Sequence, residues 1–240
     1  MISFLEYDFM QRALIAAALV GLIAPLIGVF LVQRRLALLG DGMGHVALMG
    51  VGLAFLLGTA PVPTAMVTAA LGAFLIEFIR NRSRTAGDVA LALLFYGGIA
   101  GGVLFASLAP GKASSSLNSY LFGSLSTVAT GDIWALVVLA LSVLVILAIF
   151  GRELFAVSLD PDIAQVQGIR VRVMSTLMAV LAAIVVVVGM RVVGLLLVSA
   201  IMIVPVAAAQ QLTRSFRSTA VIAVIIGLVA CIAGLAGSFY

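Results

Sequence analysis

Two polar residues inside an apolar stretch carry the strongest chemical signal in this sequence. Asp41 and His45 lie four residues apart within the run from Leu36 to Leu57, and His45 is the only histidine of the chain. Four residues make about one helical turn, so both side chains leave the same face of a helix. A carboxylate and an imidazole inside a membrane cost free energy unless they meet a partner, another helix or an ion. The pair therefore predicts metal or proton handling, and a structural hydrogen-bonded pair is the alternative.

Small residues surround this pair in the sequence. They are Gly40, Gly42, Gly44, Gly50 and Gly52. Because small residues let membrane helices approach closely, we expect a tight helix pair that brings two copies of this face together. Imidazole and carboxylate groups suit Zn²⁺ and Mn²⁺, and two copies would supply four ligands, the tetrahedral number that suits zinc.

The composition predicts an all-α membrane protein with a single integral membrane domain over residues 1–240. Apolar residues make up 64% of the chain and charged residues 9%, and the mean hydropathy is +1.33, which excludes an ordinary soluble domain. Runs of about 20 apolar residues, each long enough to span a bilayer, favour helices over the alternating strands of a membrane barrel. The predicted spans are residues 13–33, 37–57, 62–79, 88–108, 132–150, 172–190, 192–211 and 219–239.

Basic residues at the ends of these spans predict the orientation of the chain. Ten of the 13 basic residues fall on one side of an eight-span arrangement. They are Arg34, Arg35, Arg80, Arg82, Arg84, Arg152, Arg170, Arg172, Arg214 and Arg217, which leaves Arg12, Lys112 and Arg191 on the other side. The positive-inside rule makes the first side cytoplasmic and predicts that both termini are external. The arginines therefore indicate topology, and the net charge of +4 does not indicate nucleic-acid binding.

The longest cytoplasmic connection, between Gly151 and Arg172, contains a short helix signal within residues 155–170. Ser158 or Asp160 could cap a helix that starts at Pro161, since proline suits a first helical turn, and Gly168 would end it. A connector at the membrane surface is one interpretation, and a docking element for a soluble partner is the other. The sequence contains no GxxxxGK[ST] nucleotide loop, so active transport would need a separate ATPase.

Three further features have structural interpretations. The external connection from Ala109 to Gly131 is predicted to hold a short helix or re-entrant piece. Glu77 lies one turn before Arg80 and predicts an ion pair at the membrane interface. Arg191, between spans six and seven, is interpreted as a charge that snorkels to the interface.

Several segments resemble the metal-chelate branch of ABC importer permeases for zinc, manganese and iron. The segment LVQRRLALLGDGMGHV, residues 31–46, is similar to the family pattern LxxRRxxLxGDxxxHxxLxG. SYLFG at residues 119–123 resembles the family's external LFG segment, and residues 160–168 resemble its cytoplasmic DPxxAxxxG segment. Residues 193–208 resemble the VGxLLvxaLLIxPAAxA helix. The opening, YDFMQRA at residues 7–13, looks most like the zinc-uptake members, and the resemblance covers essentially the whole chain in order.

The resemblance implies a permease homodimer in a bacterial-type plasma membrane. Its partners would be cytoplasmic ABC ATPase subunits and an external metal-binding protein. Asp41 and His45 match the family's polar pair on the permeation path, with Zn²⁺ favoured as cargo over Mn²⁺ or Fe²⁺ and no permanently bound cofactor. The segment that receives the ATPase motion comprises Asp160, Pro161, Asp162, Ala164 and Gly168. The chain itself would not be an enzyme.

The sequence departs from the family pattern at two positions and in length. Gly44 precedes the histidine where many members have serine, and Met49 stands where many have proline. The family normally continues into one more apolar helix, so a ninth span after Tyr240 is expected. A proton-coupled secondary transporter would use the same Asp41 and His45, whereas an intramembrane hydrolase is disfavoured because HExxH and GxSxG are absent.

Overall fold

The computed structural model describes residues 8–82, 87–110, 113–123 and 129–239, and these residues form a bundle of ten helices. The helices are α1 (Asp8–Gln33), α2 (Ala37–Leu57), α3 (Pro61–Arg82), α4 (Gly87–Leu108), α5 (Ala113–Phe122), α6 (Thr130–Leu159), α7 (Pro161–Val166), α8 (Val171–Val193), α9 (Leu195–Leu212) and α10 (Phe216–Phe239). All except α5 and α7 are long and apolar enough to cross a membrane. The prediction of an all-α bundle with eight spans is confirmed. Arg84 and Lys112, which the charge pattern uses, lie outside the described residues.

Helices α1, α2 and α8 form the centre of the bundle. Most of their residues are buried, whereas α4, α6 and α10 are largely exposed on the outside. Helix α8 is apolar around its whole circumference near Val185–Val188, as expected for a helix that neighbours surround. It packs against α1, α2, α3, α6 and α9. The exposed apolar side chains of the outer helices suit a surface that faces lipid or another membrane subunit.

Helix α6 is longer than the predicted span, which ended at residue 150. It continues to Leu159 and contains 30 residues, so it extends for about 45 Å, whereas the hydrocarbon core of a bilayer is about 30 Å thick. The sequence offers no proline before Pro161, Gly151 does not end the helix, and Leu154 and Val157 of the added turns are buried against the bundle. The connection between Gly151 and Arg172, which the charge pattern predicts to be cytoplasmic, therefore contains less loop than the sequence indicated.

The short helix α7 forms as its capping signals predict. Asp160 is the cap, because its Oδ1 atom accepts the N–H groups of Asp162 and Ile163 at 2.9 and 3.0 Å. The Ser158 hydroxyl instead donates to the carbonyl of Leu154 within α6. Gly168 has a φ of +83°, and the N–H of Ile169 reaches the carbonyl of Ala164, which closes the helix.

The short helix that was predicted for the connection from Ala109 to Gly131 is α5, and its end at Phe122 and Gly123 packs against the junction of α8 and α9. Gly123 and Gly194 both have positive φ, at 77° and 89°. A Cβ on Gly123 would lie 2.4 Å from the carbonyl carbon of Val193, and one on Gly194 would lie 2.4 Å from that of Phe122. Only glycine allows this close packing, which joins two segments that the family resemblance had singled out separately.

Candidate functional site

Asp41 and His45 lie on α2, near the end that follows the α1–α2 turn. At about 1.5 Å of rise per residue, they stand about 6 Å and about 12 Å along the helix from Ala37. His45 is buried, with 9% of its side chain exposed, and Asp41 is more open at 29%. The site is therefore reached from the Asp41 side, in the half of the span that the charge pattern predicts to be cytoplasmic.

The two side chains face each other without a hydrogen bond. His45 Nε2 and Asp41 Oδ1 are 3.8 Å apart, which is beyond hydrogen-bonding distance. The other ring nitrogen, Nδ1, is buried and has no hydrogen-bond partner among the described residues. A pair that served only to satisfy its own polar atoms would be hydrogen-bonded, so this geometry disfavours the structural alternative. Two metal–ligand bonds of about 2.1 Å can span up to about 4.2 Å, so one cation could bridge these two atoms.

Helix α4 forms the wall of the site, which the sequence analysis did not anticipate. The ring of Phe95 packs edge-on against the imidazole, with centroids 4.3 Å apart. One turn further, Gly98 lies against the backbone of α2, where an added Cβ would sit 2.6 Å from the carbonyl carbon of His45. The signal in the sequence is the repeated glycine pair of Gly97–Gly98 and Gly101–Gly102, which is typical of close helix packing.

The glycines of α2 pack within this chain, so they do not supply the contact surface that was expected between two copies. An added Cβ at each glycine would meet another helix of the same chain. At Gly40 it would meet Met202 of α9, at Gly42 Leu91 of α4, and at Gly44 both Leu195 of α9 and Val186 of α8. At Gly50 it would meet Thr68 and Ala65 of α3, and at Gly52 Gly102 of α4. Since four helices of the same subunit surround α2, its small residues seat it in the bundle. The polar face with Asp41 is the part left partly open.

A second unpaired polar atom lies on α9. Ser199 is 8% exposed, and its hydroxyl has no hydrogen-bond partner within the described part of the chain. Leu195 and Met202, one turn to either side on the same face of α9, contact Gly44 and Gly40 of α2. Ser199 is therefore on the α9 face that packs beside the helix of the site, and neither the spacing nor the motifs had singled it out.

A single chain supplies too few ligands for a closed metal site. No group of three or more His, Cys, Asp or Glu side chains comes together in the described ranges. Asp41 and His45 thus remain the two candidate ligands among the described side chains of these four types.

Charged residues at the two ends of the bundle form ion pairs. At one end, Arg191 Nε lies 3.0 Å from Asp132 Oδ1, so Arg191 has a partner on α6 and does not simply snorkel to the interface. Burial raises the pKa of Tyr120 on α5, and Arg191 opposes that shift. At the other end, the predicted pair of Glu77 and Arg80 is confirmed with a distance of 2.9 Å.

Comparison with known proteins identifies the family. The sequence model described as the ABC 3 transport family matches residues 6–240. The chain belongs to this family. It is accordingly a multi-pass membrane permease of a bacterial ABC transporter and not the ATPase subunit. The predicted membership of an ABC permease family is confirmed.

Curated relatives cover nearly the whole chain. The manganese transport system membrane protein MntC of Listeria innocua is 33% identical over 98% of this chain and 83% of its own length. The manganese import system permease protein ScaB of Streptococcus parasanguinis is 34% identical over 96% of this chain and 81% of its own length. The solved structure of PsaBC from Streptococcus pneumoniae in complex with Fab superposes with a TM-score of 0.86 at 30% identity, over 98% of this chain and 84% of that one.

Proposed function

We propose that this chain is the permease subunit of an ABC importer that carries a divalent transition metal, manganese in preference to zinc, across the bacterial plasma membrane. The observation that carries the proposal is the Asp41–His45 pair, with 3.8 Å between facing ligand atoms and an unpartnered imidazole nitrogen in an apolar span. Membership of an ABC permease family supports transport powered by a separate ATPase.

The choice of manganese replaces the preference for zinc that the sequence analysis derived from the opening segment and the tetrahedral ligand count. Both MntC and ScaB, which cover this chain almost completely, are named for manganese. Carboxylate oxygen is a favoured donor for Mn²⁺, and imidazole accommodates either metal. An Asp–His ligand set is therefore compatible with manganese, and the names of these relatives favour manganese over zinc.

Two copies of the chain would complete the site around the cargo ion. Each copy contributes one carboxylate and one imidazole, and two carboxylates together neutralise a dication. A neutral set of this kind offsets part of the large cost of removing a divalent ion from water. Because Asp41 is the more exposed ligand and lies on the predicted cytoplasmic side, an imported ion would be held first by His45 against Phe95 and would leave past Asp41.

The α7 segment would receive the motion of the ATPase subunits. Ile163 and Val166 are exposed, the latter at 90%, and offer an apolar contact surface. Ala164, one of the predicted partner-binding residues, is instead buried against the bundle and would anchor α7. Asp160, Pro161 and Gly168 act by shaping the helix ends, and Asp162 is an exposed charge.

Uptake of radioactive manganese and zinc by vesicles that contain the complete transporter tests the proposal. The Asp41→Ala/His45→Ala variant should lose ATP-dependent uptake of manganese while it inserts normally. Ser107→Ala is the matched control, because that exposed hydroxyl of α4 bonds only to its own helix. Normal uptake per inserted double-variant molecule would refute the site. Competition that favours zinc over manganese would refute the metal assignment alone.

A further inference from the structure

A hydrogen bond joins the turn before the metal-ligand helix to the first turns of α8. Arg34 lies in the turn between α1 and α2, and its Nη1 atom donates to the Ser175 hydroxyl oxygen at 2.8 Å. These residues are 141 positions apart in the chain. The turn is tight, since Arg35 has a φ of +58° and is the one non-glycine residue in the described ranges with a positive φ. Movement of the Arg34 side chain is thus tied to the backbone of this turn.

A buried carboxylate on α3 attracts the Arg34 guanidinium. Glu77 is only 3% exposed and pairs with Arg80 at 2.9 Å. Burial lowers the pKa of the Arg34 guanidinium, the Glu77 carboxylate raises it, and Arg80 lowers it again. A partly buried cation needs such partners, because a buried charge without a partner is strongly destabilising. Arg34 is therefore constrained by α3 and α8 together.

The connections on both sides of this contact are short and stiff. Only residues 167–170 separate α7 from α8, and Ser175 follows in the first turns of α8. On the other side, α2 begins three residues after Arg34, and Asp41 lies in its second turn. The Arg34–Ser175 contact therefore links the first turns of α8 to the Asp41 end of α2, in addition to the direct packing of α8 on α2 further along both helices.

We infer that Arg34 is a positioning residue that passes movement of the α7 segment to α2, and so to Asp41 and His45. The inference rests on the proposed function of α7 as the contact for the ATPase. It assigns to Ser175 the role of the acceptor that makes the contact, and to Glu77 the role of keeping the guanidinium in place when α8 moves.

A matched pair of substitutions isolates the hydrogen bond. Ser175→Thr keeps the hydroxyl group. Ser175→Val introduces a side chain with the branched shape of threonine but without the hydroxyl group. Ser158→Ala is a second control, since that buried hydroxyl bonds only within α6. The experiment uses the complete transporter with Cys231→Ala, which removes the native thiol. Single cysteines are then introduced as Leu38→Cys on α2 or Gln167→Cys beside α7. The rate of thiol labelling at each reporter is measured with and without ATP and vanadate. Both reporter positions are exposed.

The expected result is a loss confined to α2. With Ser175→Val, the ATP-dependent change in labelling at Leu38→Cys disappears, while the change at Gln167→Cys remains. With Ser175→Thr or Ser158→Ala, the labelling changes at both reporter positions persist. Arg34→Met provides a second variant that leaves Glu77 paired with Arg80 and should give the same selective loss. An ATP-dependent change at Leu38→Cys that survives in Ser175→Val or Arg34→Met overturns the inference alone. Absence of any ATP-dependent change at Gln167→Cys in the unsubstituted background overturns the proposed function of α7 and the inference with it.

Discussion

Substitution of Gly98 by alanine should displace the wall of the metal site by a calculable amount. The added Cβ would lie 2.6 Å from the carbonyl carbon of His45 and 2.8 Å from the backbone nitrogen of Val46. Ordinary contacts begin at 3.4 Å, so α4 and α2 must part by about 0.8 Å at this level. The opposing atoms belong to the backbone, and no side-chain rotation can relieve the contact.

Overpacking of this kind costs about 1–3 kcal/mol. If about 1.4 kcal/mol of this overpacking cost destabilises the metal-bound arrangement of Asp41 and His45, the affinity for the ion decreases about tenfold. We therefore expect Gly98→Ala to raise the manganese concentration for half-maximal uptake by about that factor, and to lower the thermal stability of the purified permease. The concentration dependence of radioactive manganese uptake and a thermal unfolding curve in detergent measure the two effects.

Gly97→Ala is the control, because a Cβ at that position meets nothing within 4 Å. It should leave uptake unchanged and slightly favour the helix, since alanine is the better helix former. Equal uptake curves for Gly97→Ala and Gly98→Ala would show that the α2–α4 contact does not set the ligand geometry, and would refute the reasoning.

Three other predictions concern the charged residues and the orientation of the bundle. Glu77→Ala should destabilise the permease by about 3–5 kcal/mol, because it leaves Arg80 without its paired carboxylate and removes the attraction of Glu77 for Arg34, and thermal unfolding will measure it. Asp160→Ala should uncouple ATP hydrolysis from uptake, because it removes a helix cap that contributes about 1 kcal/mol. Asp160→Asn keeps the cap and should couple hydrolysis to uptake better than Asp160→Ala. Equal coupling in the two variants would contradict a capping role. A reporter inserted after Gly168 should be cytoplasmic and one after Pro110 external, and the reverse readout would contradict the charge pattern.

Local sequence signals determined the helices and the polar face of the site. Apolar runs long enough to cross a membrane must form helices there, because no water is available to satisfy the backbone, and all eight spans follow from this rule. Asp160, Pro161 and Gly168 define α7 through interactions within a few residues, so its limits were predictable. The helical period alone placed Asp41 and His45 on one face.

The tertiary structure decided what surrounds those residues. The sequence does not reveal that Gly98 supports His45, that Arg191 pairs with Asp132, or that Arg34 reaches Ser175 across 141 positions. In a chain this apolar, nearly every helix face is hydrophobic enough to pack against any other, so periodicity does not select neighbours. Close packing of small residues and the pairing of a few buried charges make that selection, and both depend on contacts between segments far apart in the sequence.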